Sequence, residues 1–495
     1  MTKQQRLVLT VAILGSFVAF LDSAIVNVAL PAIQRDLGGG LAAQQWIVDA
    51  YLLTLGSLIL IAGSLSDLLG RKRILTLGLL GFGVASLLCA VAPNSTSLII
   101  FRALQGIAGA LLVPSSLAMI ISAFSGPAQG KAIGSWTAWT GISFILGPLV
   151  GGILVDSASW RWIFAINLLP IAVTLFLMRN IEVVKDEGHK TPVDYFGSLL
   201  CAVGLAGPVF ALIEQPHYGW GSPLIYLPLV LGFALLAGFL MYERRAEHPM
   251  LPLSLFKNHN FSVGNIATLS IYAGLSASTF ILIVFLQQVA GYSALAAGFA
   301  GVPITLIMFV LSPRMGALAG KYGPRLFMGI GPIIGAIGFA LMLRVTADTN
   351  YWTQVFPGIV VFGIGLSITV APLTAAILGD VPKNQAGIAS AVNNAVARIA
   401  GLLAVAAVGA VIAAQFSHTV DQKMANSNVS SSSVNTAKQV SLETTPPAPY
   451  QHNQAFKNVL TNASVSAFHA GLITVVGLLG AGGVISLIGI RNPTK

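Results

Sequence analysis

The chain has 495 residues, 55% of them hydrophobic, with 26 basic and 16 acidic side chains. Only 8% of the residues are charged, against roughly 25% in soluble domains, and the mean hydropathy is +0.83, which excludes a water-soluble globular enzyme. The formal net charge of +10 does not describe a nucleic-acid surface, because the basic residues are scattered in short loops between apolar runs.

At about 20 apolar residues per crossing, the sequence predicts fourteen spans. Seven lie near residues 7–30, 44–65, 74–92, 98–121, 131–155, 162–178 and 196–214. The others lie near 224–242, 262–287, 296–312, 327–343, 353–378, 387–414 and 468–490. Span 1 carries Asp22 well inside the membrane, where a carboxyl group is costly unless it is protonated, paired or in a wet cavity. Asp22 is therefore the leading candidate for a proton carrier; the alternative is a permanently paired structural acid. Asp49, at the start of span 2, and Glu214, at the end of span 7, are expected on solvated rims.

The turn after span 2 contains Gly63, Asp67, Gly70, Arg71, Lys72 and Arg73. Its charges suit a conformational latch on one face of the membrane, or simply orient the chain. Arg102 in span 4 keeps its charge at any working pH, so it can hold a carboxylate ionised; snorkelling to the interface is the competing role. In span 5, Ser143, Gly147 and Gly151 form a smooth stripe, followed by Gly152. Pro148 removes a helical hydrogen bond, which suits a gate between two halves, or plain close packing.

After span 10, Gly316, Leu318 and Gly323 followed by Arg325 repeat the pattern Gly63, Leu65 and Gly70 followed by Lys72, at an offset of 253 residues. Both turns fall between the second and third spans of a six-span unit. The predicted organisation is a six-helix bundle over 1–180, a linker with two inserted spans over 181–261, and a second bundle over 262–495. That last part includes a polar external loop at 415–467. With both termini in the cytoplasm, 18 basic residues fall inside and 6 outside, the asymmetry expected of that orientation. No metal-spaced cluster and no phosphate-binding loop is present, so no cofactor is expected and ATP-driven transport is disfavoured.

These motifs resemble the major facilitator superfamily, and within it the fourteen-span drug/proton antiporters of the QacA/EmrB-like group. The segment Leu21 to Pro31 is similar to that group's span 1 motif, with Ala24 in place of Thr. Gly63 to Arg73 resembles the superfamily loop motif, Arg102 to Ala110 the span 4 motif, and Gly134 to Gly152 the antiporter motif, with Ser143 in place of Gly. Trp160 to Phe164 and Asn167 to Pro170 resemble the group's span 6 start.

The resemblance implies an all-α polytopic fold of two six-helix bundles plus two inserted helices. It implies a multi-pass protein of the cell membrane that is not an enzyme. Its function would be export of small amphipathic drugs or metabolites coupled to inward proton flow, with Asp22 and Arg102 as coupling residues. The proton gradient is the energy source, lipid and protons are the other partners, nucleic acid is not one, and the chain is expected to act as a monomer. Trp136, Trp139, Phe144, Phe280, Asn393 and Arg398 are candidates to line the substrate cavity. The alternative is a proton-coupled uptake porter for a polar metabolite, using polar groups of span 9 such as Asn265 and Thr268.

Overall fold

The computed structural model describes residues 1–492 apart from 125, 182–192, 248, 380, 382–385, 425–428, 440 and 448–449. No β-strand occurs among the described residues. Thirteen helical stretches among them are long and apolar enough to cross a bilayer. A shorter apolar stretch, Trp162–Met178, occupies the place of predicted span 6. Of the residues used to predict orientation, Lys185, Lys190, Lys383 and Lys495 lie outside the described set.

The chain forms two compact units. Unit 1 comprises Met1–Gly38, Trp46–Ala206 and Leu231–Pro252; unit 2 comprises Gly39–Gln45, Gly207–Val230 and Leu253–Lys495. Unit 1 is built on α1 (Lys3–Leu37), α2 (Gly40–Leu69), α3 (Arg71–Ala90) and α4 (Ser95–Ala123). Its next two crossings are both interrupted: α5 (Gly126–Gly141) with α6 (Ser143–Ser157), and α7 (Trp162–Ala165) with α8 (Leu168–Met178). The inserted helices are α9 (Tyr195–Tyr218) and α10 (Pro223–Glu243), each divided between the units.

Unit 2 contains α11 (His259–Gln288), α12 (Ala294–Ala300), α13 (Val302–Tyr322) and α14 (Pro324–Leu341). They are followed by α15 (Phe356–Gly379), α16 (Ala386–Met424), α17 (Ser431–Gln439) and α18 (Gln454–Gly489).

Local chemistry sets several of these boundaries. Thr2 and Gln5 form a reciprocal capping box at the start of α1, and the Asn94 side chain accepts the Ser97 N–H at the start of α4. The break at Ile142 lies between Gly141 and Ser143, whose hydroxyl is drawn back to the Thr140 carbonyl at 2.6 Å.

Two expectations change here. A Cβ on Gly147 would meet Ala24 and one on Gly151 would meet Ile25, so the small-residue stripe is the seat of α1 in the same unit. The sequence pattern could not name that neighbour, because a smooth stripe fits any close helix. The 415–467 segment is also less of a loop than its polarity implied. α16 runs to Met424 and α18 begins at Gln454, with α17 between them. Phe416, Val420, Phe456 and Leu460 are buried, so these helix extensions carry an apolar face beneath their polar residues.

The repeated turn is structural as well as sequential. Gly70 and Gly323 have φ of 96° and 89°, and they immediately precede α3 and α14. Two residues further on, Lys72 Nζ donates to the Ile181 carbonyl at 2.7 Å, and Arg325 Nε donates to the Leu487 carbonyl at 2.6 Å. Each basic side chain thus ties its turn to the carbonyl end of the last crossing of its own unit, where the helix dipole favours a cation.

The two glycines differ in their surroundings. A Cβ on Gly70 meets open space, whereas one on Gly323 would land on the Asn492 side chain. Gly70→Ala is expected to cost about 1–3 kcal/mol through backbone strain alone. Gly323→Ala should lower the melting temperature of the purified protein further, which a thermal denaturation series in detergent measures.

Candidate proton-coupling site

The polar centre of unit 1 is assembled from α1, α2, α3, α4 and the junction of α7 with α8. Asp22 on α1 is fully buried, and Arg102 on α4 is 1% exposed. Arg102 Nη1 donates to Asp22 Oδ2 at 2.5 Å. Its Nε donates to the Ile47 carbonyl at 3.0 Å, and Nη1 also reaches Gln105 Oε1 at 2.5 Å. The guanidinium carbon stands 4.3 Å from the centre of the Tyr51 ring and 5.8 Å from that of Phe164, so aromatic faces replace much of the water it has lost.

The second oxygen of Asp22 is equally well satisfied. Gln105 Nε2 and Asn167 Nδ2 donate to Oδ1 at 2.8 and 2.9 Å, and both amides also donate to Ser86 Oγ. A carboxylate with three donors, one of them an arginine, is stable without water; one lacking them would not be. Gln105 is one turn from Arg102, so the span 4 motif delivers a cation and an amide to the same acid. Asn167 stands where the crossing breaks between α7 and α8, and this break turns its amide into the cluster.

Asp49 departs from its predicted place. It lies ten residues into α2, about 14 Å along the helix at 1.5 Å per residue, and is fully buried with no hydrogen-bond partner on either oxygen. A span counted from residue 44 puts Asp49 near a rim; α2 starts at Gly40, because Gly40, Leu41, Ala42 and Ala43 already belong to the helix. The readable signal was an acid two residues before Tyr51 in an otherwise apolar stretch.

Residues 12–405 match the sequence profile of the Major Facilitator Superfamily. The chain belongs to this superfamily. It is 35% identical over 403 residues to the puromycin resistance protein pur8 of Streptomyces alboniger, covering 80% of each chain. It is 32% identical over 422 residues to the multidrug resistance protein Stp of Mycobacterium tuberculosis, covering 85% of this chain and 78% of that one. The fold is similar to the crystal structure of a bacterial homologue of the human lysosomal transporter Spinster in an inward-facing, unoccupied conformation. That match has a TM-score of 0.68 at 14% identity and covers 100% of both chains. A Major Facilitator Superfamily member is a multi-pass membrane transporter rather than an enzyme.

Other motif residues of this superfamily member are placed as follows. Gly63 is partly buried within α2, Gly70 is exposed at its end, and Arg71 begins α3; the Asp67 side chain lies outside the described residues. Pro148 and the buried Gly152 lie in α6.

The cavity candidates separate. Trp136 donates to Ser16 Oγ at 3.1 Å and packs on Ala12 and Ile120, while Trp139 is 55% exposed. The Phe144 side chain lies outside the described residues. Phe280 is 1% exposed, in the core of unit 2, and does not offer a face to a ligand; an aromatic in an apolar helix is packed unless its neighbours leave space, which the sequence does not encode. Asn393 donates to Asn265 Oδ1 and Thr268 Oγ1 at 3.1 and 2.9 Å. Arg398 is close enough to Tyr272 to act on it electrostatically.

Arg102→Ala leaves Asp22 as a buried charge without its cation, an expected loss of about 3–5 kcal/mol. Combining it with Asp22→Asn should recover part of that loss. Thermal or denaturant unfolding of both single variants and the double variant measures the coupling.

Proposed function

We propose that this protein exports small amphipathic compounds from the cytoplasm by alternating access, driven by protons moving inward. Both termini would be in the cytoplasm, as the basic-residue asymmetry favours. The observation that carries the reading is a pair of buried acids on α1 and α2 of unit 1. One is fully paired in this state, and the other has no hydrogen-bond partner on either oxygen among the described residues.

Asp22 gains a proton only when Arg102, Gln105 and Asn167 move away from it, so its loading is tied to the arrangement of α1 and α4. Asp49, buried with no donor on either oxygen among the described residues, is the second acid assigned to carry a proton. A membrane potential supplies about 2.3 kcal/mol per charge per 100 mV, enough for one or two protons to sustain a useful concentration ratio.

The antibiotic named in one relative and the multidrug description of another support export of amphipathic compounds. The uptake alternative draws less support. Its polar groups in unit 2 are committed to each other: Asn393 to Asn265 and Thr268, and Ser270 to the Leu478 carbonyl at 2.6 Å.

The test is transport in inverted membrane vesicles, with puromycin as the probe and a pH dye reporting proton movement. Wild-type protein is expected to accumulate puromycin when a proton gradient is imposed and to release protons in response to it. Asp22→Asn should abolish both, and Asp49→Asn should reduce the protons moved per puromycin. Undiminished gradient-driven accumulation by Asp22→Asn would remove the coupling assignment. Loss of puromycin from the lumen of energised vesicles would instead favour uptake.

A further inference from the structure

The inserted helices hold a second acidic site that the coupling scheme does not use. Asp194 stands just before α9, and Glu243 is the last residue of α10; both belong to unit 1. Asp194 Oδ1 accepts from the Gly197 N–H at 2.8 Å and from the Tyr242 hydroxyl at 3.1 Å. That is the position of a helix-capping carboxylate. Glu243 is 3% exposed, and its Oε2 accepts from the Leu251 N–H at 2.9 Å.

The remaining two oxygens, Asp194 Oδ2 and Glu243 Oε1, are buried and have no donor. Both lie within 2.7 Å of the point that a Cβ on Gly197 would occupy. The two carboxyl groups therefore face one space, the one left by the missing side chain, and act on each other across it. Two ionised carboxylates facing each other without water or a cation repel strongly. The other groups around them do not relieve this. Tyr242 already donates to Asp194, and the Cys201 thiol on α9 is a weak donor near Glu243. Arg244 and Arg245, next along the chain, are exposed, and no basic side chain among the described residues acts on Glu243.

We propose that Asp194 and Glu243 bind one proton between them, as a proton-operated clasp joining the start of α9 to the end of α10. The proton sits on Glu243 Oε1 and is donated to Asp194 Oδ2, which satisfies both orphaned oxygens at once. The clasp extends to the following segment through the Glu243 bond to Leu251 and through Ser198 Oγ, which donates to Met250 Sδ at 3.2 Å. The Phe196 and Tyr242 rings, 5.1 Å apart and edge to face, pack one helix end on the other. When the proton leaves, two facing carboxylates remain and the helix ends are driven apart.

The experiment uses the full-length protein in lipid nanodiscs, melted at a series of pH values from about 6 to about 9. The shared proton stabilises the folded protein while it is bound, so the wild-type melting temperature should fall by at least ~2 °C as pH rises. Glu243→Gln places an amide donor where the proton was. It is expected to match the wild type at low pH and to lose the downward slope, whereas Glu243→Ala should melt lower throughout. Infrared difference spectra should show a protonated-carboxyl carbonyl band that disappears over the same pH range. The band should persist in Asp22→Asn and in Asp49→Asn and be absent in Glu243→Gln, which separates the clasp from the coupling site. An unchanged pH slope in Glu243→Gln would overturn the proposal. So would a wild-type melting temperature raised by magnesium or calcium ions and lowered by a chelator, since the occupant would then be a metal cation.

Discussion

A charge placed in the middle of a membrane protein must be solvated by the protein itself, and in unit 1 that requirement organises five helical elements around Asp22. The acid on α1 is held by Arg102 and Gln105 on α4 and by Asn167 at the break between α7 and α8. Ser86 on α3 accepts from both amides, and α2 contributes the Ile47 carbonyl and the Tyr51 ring to the arginine. Every group in this network is buried, so its removal leaves an unsatisfied partner rather than a solvated one. The network is therefore both a structural centre and the place where one proton would change the most.

Close helix approach makes that network possible. A Cβ on Gly106 would collide with Thr54 Oγ1 and the Tyr51 carbonyl, so α4 lies directly against α2, and the Thr54 hydroxyl donates to the Ala103 carbonyl at 2.9 Å. Gly147 and Gly151 let α6 settle on α1 at Ala24 and Ile25, next to Asp22. The small residues of the two motifs thus position the charged ones. The stripe in α6 acts on α1 of its own unit, which makes it a seat for the helix that bears Asp22.

The two units share a turn and differ in their polar centres. Gly70 with Lys72 and Gly323 with Arg325 repeat both the backbone conformation and the cation-to-carbonyl tie. Unit 2 has no counterpart of the ion pair among its described residues in the corresponding first crossing; α11 there carries Asn265 and Thr268, joined to Asn393 of α16. Uncharged groups can bond to one another and stay neutral, whereas unit 1 holds a buried ion pair.

The sequence by itself determined the class of molecule and most of its crossings, because helix formation in a bilayer needs only a long enough run of apolar residues and leaves no alternative for the backbone. It also singled out Asp22 and Arg102 as candidates, since so few charges lie deep in an apolar run. What it left open was who meets whom. Pairing of Asp22 with Arg102 depends on two helices 80 residues apart being brought together by glycines, and Asn167 enters only because a crossing breaks at that residue. Asp49 passed for a rim residue because its burial is set by where α2 begins and by what packs over it. The facing carboxyl groups of Asp194 and Glu243 are likewise unremarkable along the chain; only the packing of α9 on α10, across a glycine, makes them neighbours. Depth in the membrane is a local property that composition encodes, whereas proximity between distant side chains belongs to the tertiary structure.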